Sequence, residues 1–273
     1  MEPWVPWAEA AGVAALGGAT LVAAYWVSGR SWWLAACLAA AALIGVFGAA
    51  RWAPRLELLP PFSWALAGRT EYALRAPAAA MALLPPSMRL PHRRQRVLVG
   101  IFLAIVIGQY SVVPFLSPAL ARPRLAALRT QMDGDDVCLQ GTSYTCGPAA
   151  AVTALRRLGI EAEEFDLAVR MHTCPALGTP ADVLAAVLQE HYGAVGLHCE
   201  YRSFTSVDEL PRGTPTLAVV KHSFLVDHFV AVLEVTDKGV VIVGDPQLGK
   251  LSYTRDAFER RWRFMGVVLT RAN

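Results

Sequence analysis

Cys146 stands in the run Gln140-Gly141-Thr142-Ser143-Tyr144-Thr145-Cys146-Gly147-Pro148, at the point where the pattern predicts that a helix begins. A helix N-terminus carries a partial positive charge, which favours thiolate over thiol, and the thiolate is the nucleophilic form. The backbone N–H of Cys146 would face a developing oxyanion. Gln140, six residues earlier, offers a side-chain donor to the same charge. His228 heads the apolar run Phe229-Val230-Ala231-Val232. A neutral imidazole there can take the thiol proton and later give it to a leaving amine. His222 is a weaker rival for that part. Gly244-Asp245-Pro246 follows the next predicted strand, and a hairpin would bring Asp245 beside His228 to fix its tautomer. Asp227 points to the other face of the strand, which argues against it as the orienting group. Each signal is weak alone. A cysteine before a helix is more often a small buried hydrophobe, and Asp-Pro after a strand is a common turn.

The elements that must hold these residues are legible as a pattern. Helices are predicted over Pro148–Leu158, Glu163–Met171 and Pro180–Tyr192, with Pro148 in a first turn, Gly159 and Gly193 as stops, and Thr179 as the cap of the third. Strands are predicted over Val195–Tyr201, Thr216–Lys221, Phe229–Val235, Val240–Val243 and Met265–Thr270. A turn at Thr236-Asp237-Lys238-Gly239 joins two of them, and a short helix covers Asp256–Trp262. Helices first and antiparallel strands after is an α+β order. Residues 133–273 are enough for one domain with its own core. The sequence order Gln, Cys, His, Asp is the papain-type order of roles.

Residues 136–270 resemble the bacteriocin-processing cysteine peptidases, which cut double-glycine leaders. The resemblance rests on Gln140 through Pro148. It continues in Gly178-Thr179-Pro180-Ala181-Asp182, in His228 through Val232, in Gly244-Asp245-Pro246, and in Trp262 through Leu269. It implies a papain-like α+β fold and peptide-bond cleavage. By resemblance, Cys146 is the nucleophile, His228 the base and acid, Asp245 the orienting group and Gln140 the oxyanion donor. It implies a peptide substrate and no cofactor. Many members are fused to an ATP-driven exporter and carry the peptidase first. This chain has no Gly-x-x-x-x-Gly-Lys-Ser/Thr loop, so any ABC-type exporter would be a separate partner. Its apolar helices also precede the peptidase-like region. Two other readings stay open: a silent peptide-binding module, and a papain-like acyl transferase.

The first half of the chain is of another kind. Of 273 residues, 55% are hydrophobic and only 17% charged, against about 25% charged in an ordinary soluble domain. Residues 1–120 hold seven of the eight Trp, nine Arg, four Glu, and no Asp or Lys. The remaining 16 basic and 18 acidic residues lie in 121–273. Nucleic-acid binding is not expected, since the positive charge sits among the apolar helices. Three uncharged stretches, 10–29, 31–50 and 97–117, are long enough to cross a bilayer as helices of around 20 residues. Trp26, Trp32, Trp33 and Trp52 flank them as interfacial aromatics do. A cleaved signal peptide is the alternative for the first stretch, but the first ten residues carry Glu2 and Glu9 and no basic residue, unlike the usual basic leader, so a membrane helix is expected instead. Between the second and third stretches, 51–96 form an Arg-rich connector. Its middle, Phe62–Leu84, is interrupted by Arg69, Glu71 and Arg75 and is expected to lie along the membrane surface. Residues 122–132 are expected as a linker. The positive-inside rule puts the connector in the cytoplasm. Three crossings then place the C-terminal domain outside the cytoplasm, at the cell (inner) membrane. A crossing by Phe62–Leu84 would move it to the cytoplasm.

Cys37 lies in a predicted span as packing. Cys138, Cys174 and Cys199 leave disulfide pairing open. His172, Cys174, His198 and Cys199 are poorly spaced for zinc, and no metal site is expected.

Overall fold

The computed structural model describes residues 4–50, 56, 58–223 and 226–272. The expectations on Arg51, Trp52 and Arg55 lie outside those residues, as does that on Glu2. The chain divides into two compact units, Met1–Ala119 and Leu120–Asn273.

The first unit is helical. It comprises α1 (Val5–Ser28), α2 (Trp33–Ala50), the single turn α3 (Phe62–Ala65), α4 (Thr70–Ser87) and α5 (Arg93–Ala126), whose last turns enter the second unit. Three of these, α1, α2 and α5, are long and apolar enough to cross a membrane. They contain the three stretches expected from the sequence. Many of their Leu, Val, Ile and Trp side chains face outward, with Val22, Leu38, Leu98 and Ile105 all more than 60% exposed. Such a surface has no reason to form in water and suits lipid.

Two small clusters fix the helix directions. Near the start of α1, Ala10 and Val13 pack with Tyr72 and Ala73 at the start of α4 and with Phe115 late in α5. Near the end of α1, Ala24 packs with Ala76, Ala80 and Leu84 of α4 and with Leu103 and Ile107 early in α5. The Arg89 guanidinium then donates to the carbonyl of Ser28 at 3.0 Å and lies 4.5 Å from the Trp33 ring centre. So α4 runs parallel to α1, and α5 runs antiparallel to both. Alanine carries most of the α1–α4 contact, which lets two backbones approach closely. Glu71 is buried at 2% exposure and meets Arg75 one turn on at 3.1 Å.

The second unit is an α+β domain. Its helices are α6 (Cys146–Arg157), α7 (Glu164–Arg170), α8 (Ala181–Tyr192) and α9 (Arg255–Arg261). A two-stranded ribbon pairs β1 (Gln131–Met132) with β2 (Cys138–Leu139). The main sheet has β3 (Leu197–Ser203), β4 (Thr216–Ser223), β5 (Val226–Val235), β6 (Val240–Asp245), β7 (Gly249–Thr254) and β8 (Trp262–Arg271), in the order β3-β8-β4-β5-β6-β7. All its pairings are antiparallel. One face of the sheet buries the Ala-rich side of α6 together with Leu184 and Leu188 of α8 and Leu217, Ala231 and Leu269 of the strands. The other face closes over Trp262 and Phe258 with Val220, Val230 and Val243. Trp262 is fully buried, and its indole N–H donates to the carbonyl of Met265 at 3.0 Å.

Each helix and strand predicted for this half is present, with ends shifted by a few residues. Three differences have physical causes. Strand β7 escaped notice because its alternation is short and it lies at the sheet edge, with one neighbour. The cap of α8 is Pro180 without a side-chain bond; the Thr179 hydroxyl pairs with that of Thr173 at 2.6 Å instead. The expected linker 122–132 is helical as far as Ala126.

Candidate active site

Cys146 is the first residue of α6. The N-terminal turn of that helix approaches Thr179 and α8 closely enough that a side chain larger than glycine next would be crowded. A Cβ on Gly147 would fall 3.1 Å from Thr179 Cβ and 3.3 Å from Leu184 Cδ1. The helix is buried along its whole first two turns, so Cys146 is presented at the end of a rod fixed in the core and is itself half-buried.

His228 lies on β5 and is 3% exposed. Its Nε2 is 2.9 Å from Asp245 Oδ1, at the end of β6. The hairpin of β5 and β6 aligns Ala231 with Gly244, so the end of β6 reaches back toward His228 as the sequence argument required. The remaining ring nitrogen, Nδ1, is left to Cys146, whose side chain hydrogen-bonds the imidazole. Burial by itself lowers the His228 pKa. The hydrogen bonds to Asp245 and Cys146 and their negative charges outweigh it and raise it to about 9. Burial alone would push the Asp245 carboxyl up, yet the bond to His228 and the backbone N–H groups of Gln247 and Leu248 hold it below its ordinary value. Gln247 N–H donates to Asp245 Oδ1 at 2.8 Å. The raised value keeps a proton on the imidazole at neutral pH, beside the Asp245 carboxylate.

Asp227 pairs with Arg263 at 2.8 Å on the opposite face, as strand alternation requires. His222 is exposed, with its ring 5.6 Å from that of His228.

Gln140 sits at the mouth of the segment that leads to Cys146. Its backbone N–H donates to the carbonyl of Pro246 at 2.9 Å, which ties it to the residue after Asp245. Its side-chain Nε2 donates to the carbonyl of Thr142 at 2.8 Å. An amide nitrogen carries two hydrogens, so one is available to a bound oxyanion.

All five cysteines are free. Burial pushes the thiols of Cys138 and Cys199 up to about 12, which keeps them protonated and inert beside Cys146. Cys174 is fully buried. One residue with a part in the site was invisible in the sequence. Glu164, at the start of α7, accepts the N–H of Gly141 at 2.8 Å; the only local signal was an acid in a helix's first turn, which the helix dipole explains without a site.

The fold and site together define an α+β domain of the cysteine-peptidase type. Residues 135–273 match the model of the peptidase C39 family, and the chain belongs to that family. An uncharacterised protein of Methanothermobacter marburgensis is 31% identical over 137 residues, which are 50% of this chain and 88% of that one. A second, from Methanothermobacter thermautotrophicus, is 28% identical over 142 residues, 52% of this chain and 92% of the other. Among solved structures, a double glycine motif protease from an AMS/PCAT transporter, in complex with its leader peptide, aligns at TM-score 0.43 and 16% identity. It covers 54% of this chain and 96% of that one. The peptidase domain of Streptococcus ComA, a bi-functional ABC transporter of a quorum-sensing pathway, aligns at TM-score 0.41 and 19% identity, over 49% of this chain and 96% of its own.

Proposed function

We propose that this chain is a membrane-anchored cysteine peptidase in which Cys146, His228, Asp245 and Gln140 act together. The observation that carries the reading is the buried His228–Asp245 contact of 2.9 Å, with the other side of the imidazole turned to a cysteine at a helix start. In the resting pair the proton sits on His228 and the sulfur is thiolate. Cys146 Sγ attacks the scissile carbonyl carbon, and the C=O electron pair moves to oxygen. That oxygen takes hydrogen bonds from the Cys146 backbone N–H and the Gln140 side chain. The C–N bond then breaks, His228 gives its proton to the departing amine, and an acyl thioester remains. Water attacks the thioester while His228 takes its proton, and the carboxylic acid leaves with the thiolate restored. Asp245 holds the ring and its tautomer and is not itself protonated.

The substrate on this reading is a peptide, and a leader cut after Gly-Gly is the class that the family resemblance implies. A separate exporter would take the product. The test is turnover by the full chain in detergent, offered a synthetic peptide spanning a Gly-Gly junction and a mixed-sequence peptide pool. Wild type is expected to cut, and Cys146→Ala to lose activity at least about a thousandfold. Cutting that survives Cys146→Ala would end the reading. The bond from Gln140 to its own loop favours one other reading, a module that holds peptide without cutting it; binding without turnover in wild type would favour that.

The placement of the domain follows from the number of crossings. Helix α4 has 18 residues, about 27 Å at 1.5 Å per residue, and runs beside α1 from end to end. Its charges Glu71 and Arg75 lie near one end and pair with each other, and a charge near a helix end can reach the interface. We therefore read α4 as a fourth crossing. The chain then emerges from α5 on the side where α1 began. The connector is divided by this crossing, with Arg89, Arg93, Arg94 and Arg96 falling on the same side as Arg30, so the positive-inside rule no longer reads it as one block. With three crossings the domain lies across the membrane from the start of α1; with four it lies on the same side.

A further inference from the structure

We infer that Glu164 is a positioning residue for the oxyanion site, clamping the segment that joins Gln140 to Cys146 where it leaves Gln140. The inference rests on the peptidase reading above for its consequence, though its geometry stands alone. Glu164 is fully buried. Its Oε1 accepts the N–H of Gly141 at 2.8 Å, the residue after Gln140. The far end of the segment is tied to its middle: the Thr145 hydroxyl, one residue before Cys146, accepts the N–H of Thr142 at 3.1 Å and donates to the Thr142 carbonyl at 3.2 Å. The carboxylate thus holds the segment where it leaves the oxyanion donor, and the bonds between Thr142 and Thr145 carry that hold toward the nucleophile.

The surroundings are shaped for this contact. The N–H of Glu164 donates to Thr130 Oγ1 at 2.8 Å, which fixes the first residue of α7. A Cβ on Gly141 would lie 2.8 Å from Leu128 Cδ2 and 3.3 Å from Glu164 Oε2, so a larger residue would have to turn the end of the Leu128 side chain aside. Burying a carboxylate is costly, and burial raises the Glu164 pKa against the bond from Gly141. A polar group so placed orders whatever it bonds. Here it bonds the residue that follows the oxyanion donor, and neither the sulfur nor the imidazole. Removing it would loosen Gln140 and the Cys146 N–H relative to each other while leaving the Cys146–His228 pair intact.

That separation gives the test. The full chain, as wild type, Glu164→Met and Glu164→Gln, is measured in detergent four ways: turnover of a peptide it cuts, affinity for a peptide ending in glycinal, alkylation of Cys146 by iodoacetamide, and hydrogen exchange at the Gly141 amide. The aldehyde adds Cys146 sulfur at its carbonyl carbon, and its oxygen comes to the oxyanion position; iodoacetamide needs only the thiolate. Glu164→Met, which has no acceptor, should lower kcat and weaken the aldehyde about tenfold each, less than the hundredfold or more for losing an oxyanion donor outright. KM and the alkylation rate should stay within about twofold. Gly141 exchange should speed up. Glu164→Gln keeps an acceptor oxygen for the Gly141 N–H and should recover. Wild-type exchange at Gly141 in Glu164→Met would overturn the clamp, whatever the turnover. Faster exchange with equal losses of kcat and alkylation would overturn the oxyanion-specific role. A wild type that cuts nothing would fail the peptidase reading instead, and the exchange result would still decide the clamp.

Discussion

His228 gains its chemistry from what its two nitrogens touch. With its pKa at about 9, the imidazole keeps its proton through neutrality, and the pair with Cys146 discharges only as pH rises past that value. The alkaline limb of kcat/KM should therefore fall near pH 9. Asp245→Ala removes both the bond and the charge that hold the proton, so that limb should move to lower pH and kcat should drop by at least about a hundredfold. A limb unmoved in Asp245→Ala would contradict the assignment. Stability follows the same sign. A raised histidine pKa contributes fully below the unfolded value of about 6.5 and is lost as pH climbs toward about 9. The depressed Asp245 contributes above its unfolded value of about 3.9 and loses that contribution on acidification. These three groups were legible in the sequence because each lies at the end of a short regular element. Glu164 was not, since its contact with Gly141 spans 23 residues and depends on how α7 meets the loop.

Elements place these groups by close packing. The start of α6 is seated against Thr179 and Leu184 with no room for a methyl at Gly147. Gly147→Ala should cost about 1–3 kcal/mol, as overpacking in a filled core does, and should lower turnover by displacing Cys146. Thermal unfolding and peptide cleavage check it together; an unchanged Tm would mean that the loop around Thr179 yields freely. The other face of the sheet is closed by Trp262, and Trp262→Ala should destabilise by about 3–5 kcal/mol, read by denaturant unfolding. The order of elements in this half could be seen from the periods of their apolar residues and the turn at Thr236–Gly239. Strand β7 could not, because an edge strand with alternate exposed residues resembles a polar loop.

At the scale of the molecule the decisive feature is the direction of α4. On the sequence alone the charges Arg69, Glu71 and Arg75 place Phe62–Leu84 along the membrane surface, and α4 is not among the three helices long and apolar enough to cross. A contact one helical turn apart pairs two of them, and only three-dimensional packing shows α4 lying along α1. Four crossings predict a pattern of labelling by an impermeant thiol reagent in intact cells. Single cysteines at Ser31→Cys and Pro91→Cys, in a chain otherwise free of cysteine, should behave alike, and Leu59→Cys should be opposite to both, one set labelling in intact cells and the other only after lysis. Leu59→Cys and Pro91→Cys labelling together, apart from Ser31→Cys, would restore three crossings and an external domain.

The central claim is that Cys146 is activated by His228, and alkylation of Cys146 from pH 5 to pH 9 tests it most directly. In the full-length wild type, labelling should be rapid by about pH 6 and should lose that low-pH reactivity in His228→Ala. A rate that rises only near the free-thiol pKa of about 8.5, and is the same with and without His228, would contradict the account.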